Sequence, residues 1–339
     1  NDGNAFVSVL LTDIPEQAEG ATVLLGHLEV EIPEDMETGS SLTLTAGSAS
    51  GSGPEYEFIT VDGLTGVITT MLQSNVITYI SGWNLVGLPL EVEDASYSNL
   101  FPESISGTLY SYDAAYVPES YLTSGEGYWL RFNNAGSTTI TGTPINELTI
   151  SLNEDWNLVS GISETVSIYS ISDPDGIIVS GTLYGYGVAY VPSDELMAGN
   201  GYWLRAYEDG EITLTSGALA KIAPRDFSFK GKANSLNVNG MDLYFGIEMS
   251  AGDRLSYGLP PKPPSGAFDV RVSGDTKIAM DKAEIEVMNP YQTLTISYDV
   301  VLDAGEHMNW VLTSEDGKEY TLEGTGEITI PTEETFTLE

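Results

Sequence analysis

Apolar and polar residues alternate in short runs along much of the chain. Residues 21–31 (ATVLLGHLEVE), 41–45 (SLTLT), 147–152 (ELTISL), 211–215 (EITLT) and 293–301 (TLTISYDVV) follow a period of two. Clusters of Gly, Ser, Asp, Asn or Pro bound most of them, as expected for half-buried strands. Hardly any segment has the spacing of an amphipathic helix. Thr, Val, Ile and Tyr are abundant, which suits a pleated surface. The pattern predicts an all-β protein of tandem sandwich-like or barrel-like modules.

Superimposed on this alternation is an internal repeat. GWNLVGLP (residues 82–89), SGTLYSYDAAYVP (106–118) and SGEGYWLRF (124–132) return as DWNLVSG (155–161), SGTLYGYGVAYVP (180–192) and AGNGYWLRA (198–206). The offset is 73 at Trp83/Trp156 and 74 at Gly107/Gly181 and Trp129/Trp203. Three blocks at near-constant spacing mark a duplication, and two such copies can share one core. Each block predicts a strand. Leu109 and Leu183 fall on one face; Tyr110 with Tyr112, and Tyr184 with Tyr186, fall on the other. The glycines before Tyr-Trp-Leu-Arg permit a sharp turn or a close backbone approach.

Composition narrows the function. A chain of 339 residues suits about two to four modules of ~70–120 residues each. Fifty acidic residues face twelve basic ones, a formal charge of −38. That balance repels nucleic acid and anionic lipid, whose phosphates need Lys and Arg. Only Arg131 and Arg205 lie in residues 1–220, and the other ten basic residues lie in 221–339, so a module boundary is expected near residues 218–224. No cysteine is present, which excludes disulfides, thiolate zinc sites and cysteine nucleophiles. No stretch is long and apolar enough for a membrane helix. No signal peptide is visible, and the start at Asn1 reads as a mature or excised piece.

No catalytic constellation stands out. Gly-x-Ser-x-Gly, phosphate-loop, dinucleotide and His-Glu-x-x-His motifs are absent. His27 and His307 lack a neighbouring nucleophile turn, and among fifty acids a carboxylate pair arises by chance. The chain is expected not to be an enzyme. Binding candidates are the repeated aromatics Trp83, Tyr110, Tyr112, Tyr116, Trp129, Trp156, Tyr184, Tyr186, Tyr190 and Trp203. Exposed, they would stack on sugar rings or anchor a protein; buried, they would form a shared core. Arg131 and Arg205 are expected to pair with a carboxylate or stack on a tyrosine. Asp173 and Asp175, in SDPDG, resemble the start of a calcium loop, but Tyr184 stands where an EF-hand places its glutamate. The turns at 207–211 and 314–318 read as hairpins.

Three resemblances add to this reading. The repeat, over about residues 75–217, resembles Trp-Asn-Leu-Val modules found toward the ends of large exported proteins of Bacteroidetes-like bacteria, which implies a surface location. LPPKPPSGAFDVR (259–271) and EETFTLE (333–339) are similar to the segment preceding a type IX secretion sorting domain, implying export across an outer membrane. Residues 5–70, with VLLGHLEV (23–30) as a late strand, resemble the second half of a cohesin-like sandwich. That resemblance implies an open edge completed by a partner segment.

The expected layout is a partial cohesin-like sandwich at 1–74, aromatic β-repeats at 75–145 and 146–217, and an Ig-like C-terminal sandwich at 218–339. In that sandwich the proline run 260–264 is an extended crossover or edge. The expected function is a non-catalytic structural or adhesive module of an extracellular bacterial surface protein, a subunit of a filament or complex. It would need no cofactor beyond a calcium ion, and its partners would be surface proteins or copies of itself. A carbohydrate-binding module and an accessory region of a secreted hydrolase are the alternatives.

Overall fold

The computed structural model describes residues 72–219, 227, 229, 233–288, 291–301 and 310–339, together with the strand backbones of 41–45, 48–51, 59–62 and 65–69. The fold is all-β. The chain divides into two compact units, Asn1–Thr70 and Met71–Glu339. In the first, Ser41–Thr45 pairs with Thr65–Thr69 and Ser48–Gly51 with Ile59–Asp62, both antiparallel. The remainder of the cohesin-like segment lies outside the described residues, as do His27 and His307.

In the second unit the repeat builds the same four-stranded sheet twice. The first runs in the order Gly82–Gly87, Gly127–Phe132, Tyr110–Tyr112, Tyr116–Pro118. The second runs Asp155–Ser160, Gly201–Ala206, Tyr184–Tyr186, Tyr190–Pro192. Corresponding polar side chains do corresponding work. Asn84 accepts from the amide of Ile80 (2.9 Å) and donates to its carbonyl (2.9 Å), closing the turn into the strand. Asn157 does the same with Asn153, at 2.9 and 2.8 Å. Thr108 and Thr182 each donate to the carbonyl three residues back, at 2.6 Å. The hydroxyls of Tyr128 and Tyr202 each accept an amide, from Thr123 and Met197, at 3.0 Å.

Period two divides each central strand between two cores. Tyr128, Leu130 and Phe132 enter a core private to the first copy, with Ile77, Leu90, Phe101 and Leu109. Tyr202, Leu204 and Ala206 enter that of the second, with Ile162, Leu183, Ile212 and Leu214. Trp129 and Trp203 point the other way, into a third core. Both faces are therefore apolar, and the strands read as near-continuous buried runs.

The copies clasp each other reciprocally, as a local two-fold axis requires. The amide of Gly87 donates to Gly199 O at 3.0 Å, and that of Ser160 to Gly125 O at 2.9 Å. A side-chain carbon at Gly127 would lie 2.4 Å from Val159 O, and one at Gly201 2.7 Å from Val86 O. These two glycines let the neighbouring backbones meet.

Among the described residues the C-terminal module forms two five-stranded sheets. One runs Ile278–Ala279, Met241–Phe245, Asn234–Val238, Thr293–Asp299, Thr325–Pro331. The other runs Asp269–Val272, Ala283–Met288, Thr335–Leu338, Trp310–Ser314, Glu319–Leu322. Leu236, Phe245, Val270, Ile296, Leu312 and Phe336 from both sheets belong to the same core as Trp129 and Trp203. Residues 260–264 lie outside every strand.

The turn at 314–318 joins two paired strands, Trp310–Ser314 and Glu319–Leu322, and is a hairpin. The turn at 207–211 is not. It leads from Gly201–Ala206 to Gly210–Thr215, which belongs to a different sheet. The reason is that Gly201–Ala206 already has neighbours on both edges, Asp155–Ser160 and Tyr184–Tyr186, so its successor must turn a corner.

Candidate functional site: an aromatic cradle around a proline strap

All ten repeat aromatics converge on the third core. Trp83, Trp129, Tyr184, Tyr190 and Trp203 are buried; Tyr110, Tyr112, Tyr116, Trp156 and Tyr186 are partly buried and pack against them. The rings interlock across the local axis. Tyr112 of the first copy meets Trp203 of the second edge-on at 4.8 Å, and Tyr186 of the second meets Trp129 of the first at 4.7 Å. Within each copy, Trp83–Tyr110 and Trp156–Tyr184 both sit at 6.0 Å. Edge-to-face contacts of this kind add about 0.5–1.5 kcal/mol each beyond area burial.

The open side of this cradle is filled by the chain itself. Tyr190 donates its hydroxyl to Pro261 O (2.6 Å) and Tyr116 to Lys262 O (2.7 Å). Trp83 Nε1 donates to Ser265 O (3.1 Å), and Tyr186 to Phe268 O (2.9 Å). From the sandwich side, Arg271 Nη1 donates to Pro260 O (2.9 Å). Arg271 is fully buried and grips Asp269 through two bonds, at 2.6 and 2.9 Å, with Asp275 at 2.7 Å. Burial pushes the hydroxyls of Tyr116, Tyr184, Tyr186 and Tyr190 well above the ordinary tyrosine range. They stay protonated at any physiological pH, so those of Tyr116, Tyr186 and Tyr190 act as donors.

Arg131 and Arg205 stack on tryptophan rather than tyrosine, at 5.7 Å over Trp83 and 5.6 Å over Trp156. Arg205 also pairs with Asp155 at 2.7 Å. Lys277, almost fully buried, lies 5.0 Å over the Tyr184 ring and 6.0 Å over that of Tyr257. Burial lowers its pKa to about 8, against a smaller pull from Asp242. Asp173 accepts the amides of Ile177 and Ile178 on its two oxygens, at 2.9 and 3.0 Å, and so closes its own loop. Asp175 is exposed. Among the described residues no group of three His, Cys, Asp or Glu side chains is placed to hold a metal ion.

Flanking the cradle are two grooves at corresponding positions. One, of about 990 Å³, is lined by Tyr112, Asp113, Glu126, Glu154, Asp155 and Trp156 among others. Its counterpart, of about 350 Å³, is lined by Ile80, Asn84, Tyr186, Gly187, Val191 and Asn200 among others. Asp113, Glu119, Glu126, Glu154 and Asp155 correspond to Gly187, Ser193, Asn200, Ser81 and Gly82.

Sequence marks the strap only as an extended crossover or edge and as part of the 259–271 resemblance, not as a site, and it does not mark Lys277 at all. For Arg271 a signal existed: in the strand DVRV, Asp269 and Arg271 are two apart and share a face. No protein-family model matches the chain, and neither a curated protein nor a solved structure matches it.

Proposed function

We propose that this chain is a non-catalytic structural or adhesive module of an extracellular bacterial surface protein, in which the paired repeat anchors the C-terminal sandwich. The observation that carries the reading is the cradle. Ten aromatics that could have formed an open platform are turned inward, and the polar tips of four of them, Trp83, Tyr116, Tyr186 and Tyr190, bind the backbone of the adjoining module. An architecture in which one core runs through three modules suits a load-bearing spacer or an assembly subunit. The heavy negative charge keeps such a surface soluble and self-repelling until a specific contact forms. The acidic surface also disfavours nucleic acid as a partner. Among the described residues no helix is long and apolar enough to cross a membrane.

Electron microscopy of native material tests this reading, with polymers or large complexes containing the chain as the expected result. Inert monomers at high concentration would count against it. Sugar binding through the repeat would need a flat exposed row of aromatics, and none of the ten is exposed. Glycan-array binding that Trp156→Ala abolishes, with the fold intact, would reinstate that alternative.

A further inference from the structure

The strap crosses the cradle symmetrically. Its central carbonyls, of Pro261 and Lys262, are held by Tyr190 and Tyr116, which are counterparts in the two copies. Four residues before Lys262 stands Gly258, where a side-chain carbon would lie 2.7 Å from the Arg205 guanidinium and 3.7 Å from the Trp156 ring. Four residues after it stands Gly266, where the same carbon would lie 3.9 Å from the Arg131 guanidinium, and beside it Trp83 binds Ser265 O. The second copy therefore holds residues 258–261 and the first holds 262–266, with equivalent side chains. The prolines at 260, 261, 263 and 264 fix φ and push the residues before them toward extended conformations. Pro260 and Pro263 are buried whereas Lys262 and Ser265 are exposed, a spacing of three that matches the polyproline turn. An extended proline strand makes no hydrogen bonds within itself, which leaves the carbonyls of Pro261 and Lys262 to the tyrosines, while that of Pro264 accepts the Ala267 amide in the turn that follows.

We propose that the paired repeat is a receptor for an extended, proline-bearing peptide segment of the Gly-x-Pro-Pro-x-Pro-Pro-x-Gly kind, and that residues 258–266 are this ligand bound in cis. Recognition is of the backbone, through hydroxyl and indole donors. The side-chain requirement is for prolines at the centre, for glycine at 258, where a side-chain carbon would lie 2.7 Å from the Arg205 guanidinium, and for glycine at 266, where φ is +86°. Because the ligand is tethered, its effective concentration is high and excludes a free competitor. The proposal goes beyond the structural reading: a spacer needs a stable junction but not a peptide receptor.

The test uses a labelled synthetic peptide of residues 256–268 and the full chain with Pro260, Pro261, Pro263 and Pro264 replaced by alanine. The peptide should bind this variant at least about tenfold more tightly than the unaltered chain. Adding Tyr116→Phe and Tyr190→Phe should weaken that binding by about tenfold or more. Equal binding to both chains, or none to a variant that keeps its near-ultraviolet circular dichroism, overturns the proposal. Should the proline variant fail to fold, hydrogen exchange on the Tyr116→Phe/Tyr190→Phe chain decides. The amides of Leu259, Ala267 and Phe268 should exchange about tenfold faster, with Gly127–Phe132 and Gly201–Ala206 unchanged. Unchanged strap amides, or uniform acceleration everywhere, would refute it.

Discussion

The two copies of the repeat are an experiment the molecule has performed on itself. Where they agree, the fold or the cradle requires agreement: Asn84 and Asn157 close the same turn, and Gly127 and Gly201 admit the same crossing backbone. Where they differ, the shared fold does not demand one particular residue, although a copy still uses its own, as Asp155 does in pairing with Arg205. The groove beside Tyr112 has five carboxylates whose counterparts beside Tyr186 are all uncharged. An acid that the shared fold required would stand in both copies. The difference separates residues that hold the scaffold from residues free to diverge on its surface.

The largest expected effect tests the equivalence of the tryptophans. Trp129→Ala and Trp203→Ala should each cost about 3–5 kcal/mol in denaturant unfolding, since both side chains are fully buried. Values differing by more than about 2 kcal/mol would mean that the local two-fold axis does not extend to the energetics.

Next comes pH, because Lys277 lies on Tyr184 of the second copy. Its folded pKa of about 8 lies below its ordinary 10.5, so above pH 8 the unfolded chain binds the extra proton and stability rises with pH. The buried tyrosines act oppositely: their hydroxyls are raised from 10.0, so stability falls once the unfolded chain loses those protons above pH 10. Unfolding followed from pH 7 to pH 12 should therefore show a rise of roughly 2–3 kcal/mol up to about pH 10 and then a decline. Lys277→Met should flatten the rise and leave the decline.

Two hydroxyls of the second copy should give opposite signs. Tyr190→Phe leaves Pro261 O without its donor and should cost about 1–2 kcal/mol. The Tyr184 hydroxyl is buried with no hydrogen-bond partner among the described residues, so Tyr184→Phe should be neutral or stabilising by up to about 1 kcal/mol. Thermal melts of the two variants side by side check both.

The smallest effect belongs to the grooves. Glu119→Ser and Glu126→Asn, each importing the residue of the other copy, should change stability by less than about 0.5 kcal/mol. A loss above about 1 kcal/mol in either would show that the acids serve the fold after all.

Much of the fold is legible in the chain, and for local reasons. Alternation in ELTISL and TLTISYD marks strands because side chains on a pleat point to opposite faces. The opposed faces of Leu109 and Tyr110 follow from the same rule, and the structure assigns them to different cores. The corner at 207–210 was not legible, because a hairpin and a sheet change use the same turn residues and only edge occupancy separates them. Nor was the destination of the aromatics. A Trp-Tyr block facing away from its own core looks the same whether it meets solvent, a ligand or its duplicate.

By itself the sequence determined that the chain is built of strands, that a unit of them is duplicated, and that basic residues gather in the C-terminal third. These are properties of neighbours along the chain, encoded in spacing and composition. Only the tertiary structure decided that the duplicates face each other, that the proline strap lies between their tyrosines, and that Arg271 and Lys277 are buried beside them. Those outcomes depend on contacts between residues some 70 to 180 positions apart, where no local period reaches and only the packing of whole sheets selects the partner.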